Sequence, residues 1–408
     1  MATNPRSIVL KAALSQFCAM LVQFNVAAVL PALMLEWGLG SAQGGVILGA
    51  SQAGYVLGIL VFGSLADRRS PRRIMALGAA GAGLAGAAFA LLAGGLWSAA
   101  LLRFLAGFGL GGVYLPGLRY LAAIFEPGRR GAAYGVFVAS LVVGSGGSLL
   151  LAGPLLAWLD WRGATLATSL LALVGAAVLA TLPEPQRAAA AGPPPSQSLG
   201  QRLRAVLGTP GVAVVMLAYI VHTAELYAFW GWVGPFLVDV LGRGASTRPE
   251  VVGNALAGLI VMAGGLGTWL GGRTADRWGR RRTLRWIAAL SLAAALVFGW
   301  LQPSSLPGLA LVTVVGLIYG VVIVADSAVY SSSVADLLPP SLLGFGLSCQ
   351  QAVGFGAAAV SPVLVGSVLG AVRTLGPSGA PGDWPAAFTA IGAGSLAVLL
   401  LVGLMRDR

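Results

Sequence analysis

Long apolar runs separated by short polar breaks make up nearly the whole chain. A helix that crosses a bilayer needs about 20 predominantly apolar residues. Twelve stretches reach that length: 8–30, 42–65, 74–95, 97–122, 130–158, 163–182, 211–238, 251–275, 283–301, 306–333, 341–369 and 386–405. The pattern predicts an all-α membrane protein of twelve transmembrane helices. The longest polar interruption, Pro183 to Pro210, carries Ala188–Ala191, Pro193-Pro194-Pro195 and three arginines, a composition that reads as a linker. It divides the chain into a first six-helix unit (1–182), a cytoplasmic linker (183–210) and a second six-helix unit (211–408).

The two units repeat each other in their polar breaks. Gly63-Ser64-Leu65-Ala66-Asp67-Arg68-Arg69-Ser70-Pro71-Arg72-Arg73 follows the second run, and Gly272-Arg273-Thr274-Ala275-Asp276-Arg277-Trp278-Gly279-Arg280-Arg281-Arg282 follows the eighth. Glu126 stands 59 positions after Asp67, and Asp336 stands 60 after Asp276. Asp160-Trp161 precedes the sixth run as Asp383-Trp384 precedes the twelfth. Matches in charged and aromatic loop residues are harder to reach by chance than matches among Leu, Ala and Gly. The spacing therefore predicts two pseudo-symmetric six-helix bundles.

Composition agrees and removes other classes. With 57% hydrophobic residues, 9% charged and mean hydropathy +0.87, the chain has too little polar surface for a soluble domain of its length. The net charge of +12 does not signal nucleic-acid binding, because the arginines lie in short loops between apolar runs. Nineteen of the 25 basic residues fall on one side of the predicted topology, four on the other and two inside spans. By the positive-inside rule both termini are expected on the cytoplasmic side. Cys18 and Cys349 lie in apolar runs and read as packing residues rather than a disulfide. Arg6 and Lys11 precede a run too long for a cleaved signal, so this run is an uncleaved first helix. Trp97, Trp161, Trp300 and Trp384 are expected at the outer interface.

Ionisable residues inside spans are functional candidates because a buried charge is expensive. Five qualify: Arg103, Arg119, His222, Glu225 and Asp326. His222 and Glu225 lie roughly 17–21 Å from the start of the seventh run, near the midplane, three apart and on one face. Glu225, beside His222, is the leading proton carrier at a site for which the solute competes, with a structural polar pair as the alternative. Arg103, about 9 Å from the opposite surface, either meets an anionic solute, assists proton release from Glu225, or snorkels to the outer interface. Arg119 and Asp326 sit at matching depths of the fourth and tenth runs and are expected to pair as an inner gate. The alternative is that Arg119 reaches water and Asp326 bonds to backbone. Gln23, Asn25, Gln52, Tyr55, Tyr114, Tyr227, Trp230, Ser327, Gln350 and Gln351 are candidates to line a central cavity, since an amide facing lipid is costly. No second His or polar Cys completes a metal shell around His222-x-x-Glu225, no phosphate-loop sequence occurs, and no Ser/His/Asp set is present. No metal, cofactor or enzymatic activity is expected.

The two loops match Gly-x-x-x-Asp-Arg-x-Gly-x-Arg-Arg, with Ser70 in place of the second Gly of the first copy, and Arg103-Phe104-Leu105-Ala106-Gly107-Phe108-Gly109 matches Arg-x-x-x-Gly-x-Gly. On these residues the chain resembles the major facilitator superfamily of secondary transporters over essentially its whole length. His222-x-x-Glu225 and Ala325-Asp326-Ser327 resemble pieces of a little-characterised bacterial branch near permeases for small anions such as cyanate. The resemblance implies alternating access for a small solute, expected to be anionic, driven by protons, with the chain acting as a monomer in a bacterial inner membrane. Export by antiport is put ahead of uptake by symport, with an ion-independent facilitator and a non-transporting sensor or scaffold as rivals. It also implies a conformational latch from Gly63, Asp67, Arg68, Arg72, Arg73, Glu126, Gly272, Asp276, Arg277, Arg281, Arg282 and Asp336. In that latch Asp67 faces the start of the eleventh span, Arg72 or Arg73 pairs with Glu126, and Arg281 or Arg282 pairs with Asp336.

Overall fold

The structure is a computed structural model and describes residues 4–66, 68–126, 130–184, 198–243, 246–303, 305–375 and 383–405. Helices are its only regular elements: no strand occurs among the described residues. In chain order they are α1 (Pro5–Met20), α2 (Asn25–Trp37), α3 (Ser41–Ala66), α4 (Pro71–Leu92), α5 (Leu96–Gly111), α6 (Tyr114–Ile124), α7 (Arg130–Leu156) and α8 (Trp161–Ala180). The second half holds α9 (Leu199–Gly208), α10 (Val212–Gly242), α11 (Pro249–Trp278), α12 (Arg280–Phe298), α13 (Leu306–Ala325), α14 (Ser327–Leu337), α15 (Pro340–Leu375) and α16 (Asp383–Gly403).

Three predicted spans are broken rather than continuous. The first is α1 and α2, parted at Leu21–Phe24; the fourth is α5 and α6, parted at Gly112-Val113; the tenth is α13 and α14, parted at Asp326. Each break coincides with polar or glycine residues that compete with or relax the helix. Eleven spans are long and apolar enough to cross a membrane among the described residues. The twelfth, α12, has 19 residues but carries Arg280, Arg281, Arg282 and Arg285 in its first two turns, which dilutes its apolar character. Of the expected linker, residues 185–197 lie outside the described residues, and the remainder is not all extended. Ser198 and Gln201 form a reciprocal capping box that starts α9.

Packing is tight wherever glycine removes a side chain between two backbones. A Cβ on Gly258 of α11 would stand 2.6 Å from the Gly146 carbonyl of α7 and 2.7 Å from the Leu150 nitrogen. Two turns further toward the arginine-rich loops, on the same face of α11, Gly265 meets nothing nearer than 4.0 Å. The α3–α15 seam behaves alike, with Gly45, Gly49 and Gly366 against facing carbonyls while Gly63 has open space. The two halves therefore join at the end remote from the arginine loops and diverge toward them.

The apolar core follows the same geometry. One cluster, including Phe24, Leu30, Leu48, Trp161, Phe229, Trp232, Phe236 and Trp384, mixes both halves at the joined end. At the arginine-rich end there are two separate clusters, one around Met75, Tyr120 and Phe137, the other around Tyr219, Leu284 and Tyr330. Large exposed residues such as Leu77, Leu84, Leu91, Leu290 and Leu400 cover the outer faces, as expected for helices solvated by lipid. Trp97 and Trp300 are exposed as predicted for an interfacial belt, but Trp161 and Trp384 are buried. Each of those two indoles donates to an acid ending the first span of its own half, Trp161 to Glu36 and Trp384 to Asp239. The Asp-Trp repeat is thus a shared internal brace.

Candidate functional site

Near the middle of α10, His222 and Glu225 project into the second half rather than toward the first. His222 Nδ1 lies 2.9 Å from Asp326 Oδ1, and its Nε2 lies 2.9 Å from Ser327 Oγ. Both partners come from the break between α13 and α14, so the break delivers a carboxylate and a hydroxyl to one imidazole. Glu225, 5% exposed, accepts hydrogen bonds from Ser291 Oγ of α12 at 2.8 Å and from Ser395 Oγ of α16 at 2.7 and 2.8 Å. His222, Glu225, Ser291, Asp326 and Ser395 line one cavity of about 10 Å³, room for a single water. The Tyr330 ring lies 5.3 Å from the imidazole, and Tyr319 and Tyr330 are fully buried beside the cluster. No Arg or Lys lies within ion-pair distance of Glu225 among the described residues. A serine hydroxyl donates to a carboxylate and accepts from a carboxylic acid, so this pocket can satisfy Glu225 in either protonation state.

The sequence misses Ser291 and Ser395, whose only signal is a small polar residue inside an apolar run. It also places Glu225 in the path of the solute. The structure instead faces it into the α10–α12–α16 interior. The expected gate pair is not formed: Asp326 is held by His222, and Arg119 donates to the Gly63 carbonyl of α3.

Arg103 neither snorkels outward nor meets Glu225. It is 1% exposed and sits against the break in the first span. It donates to the carbonyls of Val22 and Gln23 at 2.9 Å each, to Asn25 Oδ1 at 3.2 Å and to Ser51 Oγ at 3.3 Å. Breaking a helix inside a membrane frees backbone carbonyls that need donors, and the guanidinium supplies them. Asn25 is consequently not a cavity residue; its amide also donates to Thr168 of α8 at 3.0 Å.

Between the halves, where the joined end gives way to the diverging one, stands an aromatic layer. Phe24 and Tyr55 come from the first half, and Tyr227, Trp230 and Phe355 from the second. Ring centroids are 5.7 Å apart for Phe24–Trp230, 4.8 Å for Tyr55–Phe355 and 5.3 Å for Tyr227–Phe355. Tyr55, Tyr227 and Trp230 were expected here; Phe24 and Phe355 were not, because an apolar ring in an apolar run carries no sequence signal. Tyr219 donates to Gln351 Oε1 at 3.0 Å, and Tyr114 stacks on Phe137 within the first half. Gln23 Oε1, Gln52 Oε1 and both polar atoms of Gln350 are buried with no protein partner among the described residues.

The arginine-rich loops brace each half internally. Arg72 reaches Glu184 at 2.6 Å and also donates to the last carbonyls of α8, including Ala180 at 3.0 Å. Arg73 lies 3.7 Å from the same carboxylate. Burial alone would raise the Glu184 carboxyl, but hydrogen bonds from Ser70 and Arg72 and the charges of Arg72 and Arg73 hold it below the ordinary range. The partner is thus Glu184 rather than Glu126, which is exposed. In the second half Asp336 pairs with Arg280 rather than with Arg281 or Arg282. Arg281 donates to the Gly403 carbonyl at 2.8 Å, closing the end of α16 as Arg72 closes α8. Arg68, Asp276 and Arg277 are exposed, Gly272 has open space, and Asp67 lies outside the described residues.

At the joined end, Arg373 binds Asp383 at 2.8 Å, and its NH1 lies 3.5 Å from Ser41 Oγ of the other half. Asn254 of α11 donates to the Ala28 carbonyl at 3.1 Å, a second polar tie across the halves. No group of three or more His, Cys, Asp or Glu stands ready for a metal among the described residues.

A family model described as Major Facilitator Superfamily matches residues 12–362. A gallate transporter of Pseudomonas putida is 27% identical over 320 residues, covering 69% of each chain. A chloramphenicol resistance protein of Streptomyces lividans is 28% identical over 295 residues, again covering 69% of each. Among solved structures, a bacterial homologue of the human lysosomal transporter Spinster, in an inward-facing and unoccupied conformation, superposes with a TM-score of 0.76. It is 15% identical and covers 99% of this chain and 96% of that one.

Proposed function

The chain belongs to the Major Facilitator Superfamily, and we propose that it moves a small, ring-bearing organic solute across a bacterial cytoplasmic membrane by proton-coupled alternating access. Membership makes it a secondary transporter rather than an enzyme; the solute, the proton and the orientation are our reading. With the arginine loops cytoplasmic, the joined end faces outward and the diverging end opens to the cytoplasm. The solute site is then the midplane layer of Phe24, Tyr55, Tyr227, Trp230 and Phe355, with the unpartnered amide oxygens of Gln23 and Gln52 and the unpartnered amide of Gln350. Flat aromatic walls with a few amides suit a planar ring bearing polar substituents. The gallate and chloramphenicol relatives, both named for ring compounds, support that class.

The observation that carries proton coupling is Glu225. It is a buried carboxyl with hydroxyl partners and no Arg or Lys within ion-pair distance among the described residues, on a helix that also presents Tyr227 and Trp230 to the solute layer. A proton gained or lost there changes the bonds tying α10 to α12 and α16, while the same helix carries the solute contacts. His222, Asp326 and Ser327 extend the network to the broken span, and together they are the proposed proton store.

The test is transport in proteoliposomes under an imposed pH gradient, with labelled gallate and chloramphenicol as first probes. Solute moving against the proton flow identifies export by antiport; solute moving with it identifies uptake by symport. Glu225→Gln should abolish gradient-driven accumulation while leaving exchange of labelled for unlabelled solute. Accumulation by Glu225→Gln equal to the wild type would rule out this carboxyl as the coupling site. Wild-type flux indifferent to the gradient would leave a facilitator.

A further inference from the structure

At the arginine-rich end, away from the Glu225 cavity and the solute layer, a groove of about 580 Å³ runs between the start of α12 and the end of α16. Its walls are Arg281, Arg282, Arg285, Trp286, Ala289 and Leu399. The groove is graded along α12. Its mouth is cationic, formed by the first two helical turns, and its floor, about 10 Å deeper at Ala289 by the rise of a helix, is apolar.

The charge at the mouth is available. Arg280 is neutralised by Asp336, and Arg281 is engaged at the Gly403 carbonyl. Arg282 lies over the Trp278 ring at 5.7 Å, and neither Arg282 nor Arg285 has a carboxylate within ion-pair distance among the described residues. α12 is preceded by Gly279, which offers no side-chain cap, so the unbonded N–H groups of its first turn add to the positive end. Trp286 is 54% exposed beside the groove, and Leu290, Leu396 and Leu400 flank it with exposed apolar surface. The groove therefore opens sideways onto the lipid-facing wall of the second half.

A free phosphate would use only the mouth. A ligand matching the whole profile has an anionic head and a hydrocarbon tail and arrives from the bilayer. We propose that the groove binds one anionic phospholipid from the leaflet on the arginine-rich side, its phosphate at Arg282 and Arg285 and an acyl chain along Trp286, Ala289 and Leu399. Bound there, the lipid ties α12 to α16, the two helices whose serines hold Glu225. The inference stands on the groove alone and does not depend on the solute or on proton coupling.

The experiment is native mass spectrometry of the full chain in detergent with phosphatidylglycerol and phosphatidylcholine at matched ratios. The wild type should retain phosphatidylglycerol preferentially, and Arg282→Gln with Arg285→Gln should lower that retention about 30-fold, each arginine near a membrane surface being worth roughly fivefold. A control pair, Arg273→Gln with Arg277→Gln, removes the same charge from the neighbouring end of α11 outside the groove and should leave retention unchanged. Monodispersity and helical content of both pairs show that they fold. Equal retention of the two lipids by the wild type would overturn the proposal, as would equal loss in the two variant pairs. Millimolar inorganic phosphate should not displace the lipid; displacement would make the groove a free-anion site and overturn the assignment to lipid.

Discussion

Gly258→Ala tests the seam on which the two halves are argued to close. The added Cβ would stand 2.6 Å from the Gly146 carbonyl, where ordinary contact begins at 3.4 Å, so α7 and α11 must part by about 0.8 Å at that level. Both obstacles in α7, the Gly146 carbonyl and the Leu150 nitrogen, are backbone and cannot swing aside. Overpacking of this kind costs about 1–3 kcal/mol, which moves a two-state balance by roughly 5- to 150-fold away from the joined arrangement. The assay is the reaction rate of Ser41→Cys, buried at the joined end, with an impermeant maleimide, in a background lacking Cys18 and Cys349. Gly258→Ala should accelerate labelling by at least fivefold, while Gly265→Ala, on the same face of α11 with 4.0 Å of clearance, should not change it. Equal rates in both variants and the wild type, with the protein intact, would refute the claim that this crossing sets the closed end.

Two further outcomes follow from the same geometry. Arg103→Leu strips donors from the Val22 and Gln23 carbonyls at a cost of about 1–3 kcal/mol for each buried group, and should lower the melting midpoint in detergent far more than Arg68→Leu at the exposed loop. Glu184 has a lowered pKa in the folded state, so its contribution is present above the unfolded value and is lost as pH falls through the folded one. The pair is 40% exposed on the Glu184 side and is worth at most about 1 kcal/mol after screening. Protection of the amides at the end of α8, taken relative to their intrinsic exchange rate at each pH, should therefore fall modestly on acidification below the usual carboxylate range, and this fall should vanish in Glu184→Gln.

The span pattern was legible because the bilayer imposes a length on every crossing, and the repeat was legible because polar residues in loops are few. The Asp-Trp match even anticipated an equivalent role for Trp161 and Trp384, though not that both are buried. What the chain hid were partners fixed by three-dimensional packing. The family resemblance implied that Arg72 or Arg73 should meet Glu126, but the end of α8 brings Glu184 closer. Depth suggested that Arg119 should meet Asp326, but a histidine three spans earlier in the chain holds that carboxylate. The breaks at Leu21–Phe24 and Asp326 left the apolar runs unbroken in hydropathy, so the need for Arg103 beside freed carbonyls was not visible.

Alternating access requires two halves that swap which end is joined. Spin labels at Gln43 and Ser367 report the joined end, and labels at Ser64 and Ser348 report the arginine-rich end; all four positions are exposed. Distances between each pair by electron–electron double resonance, from pH 5 to 8 and with solute added, measure that swap directly. The expected result is two populations in each pair, with the second pair shortening as the first lengthens, and a pH response removed by Glu225→Gln. Distances that stay fixed in both pairs, or that change in the same sense, would contradict it.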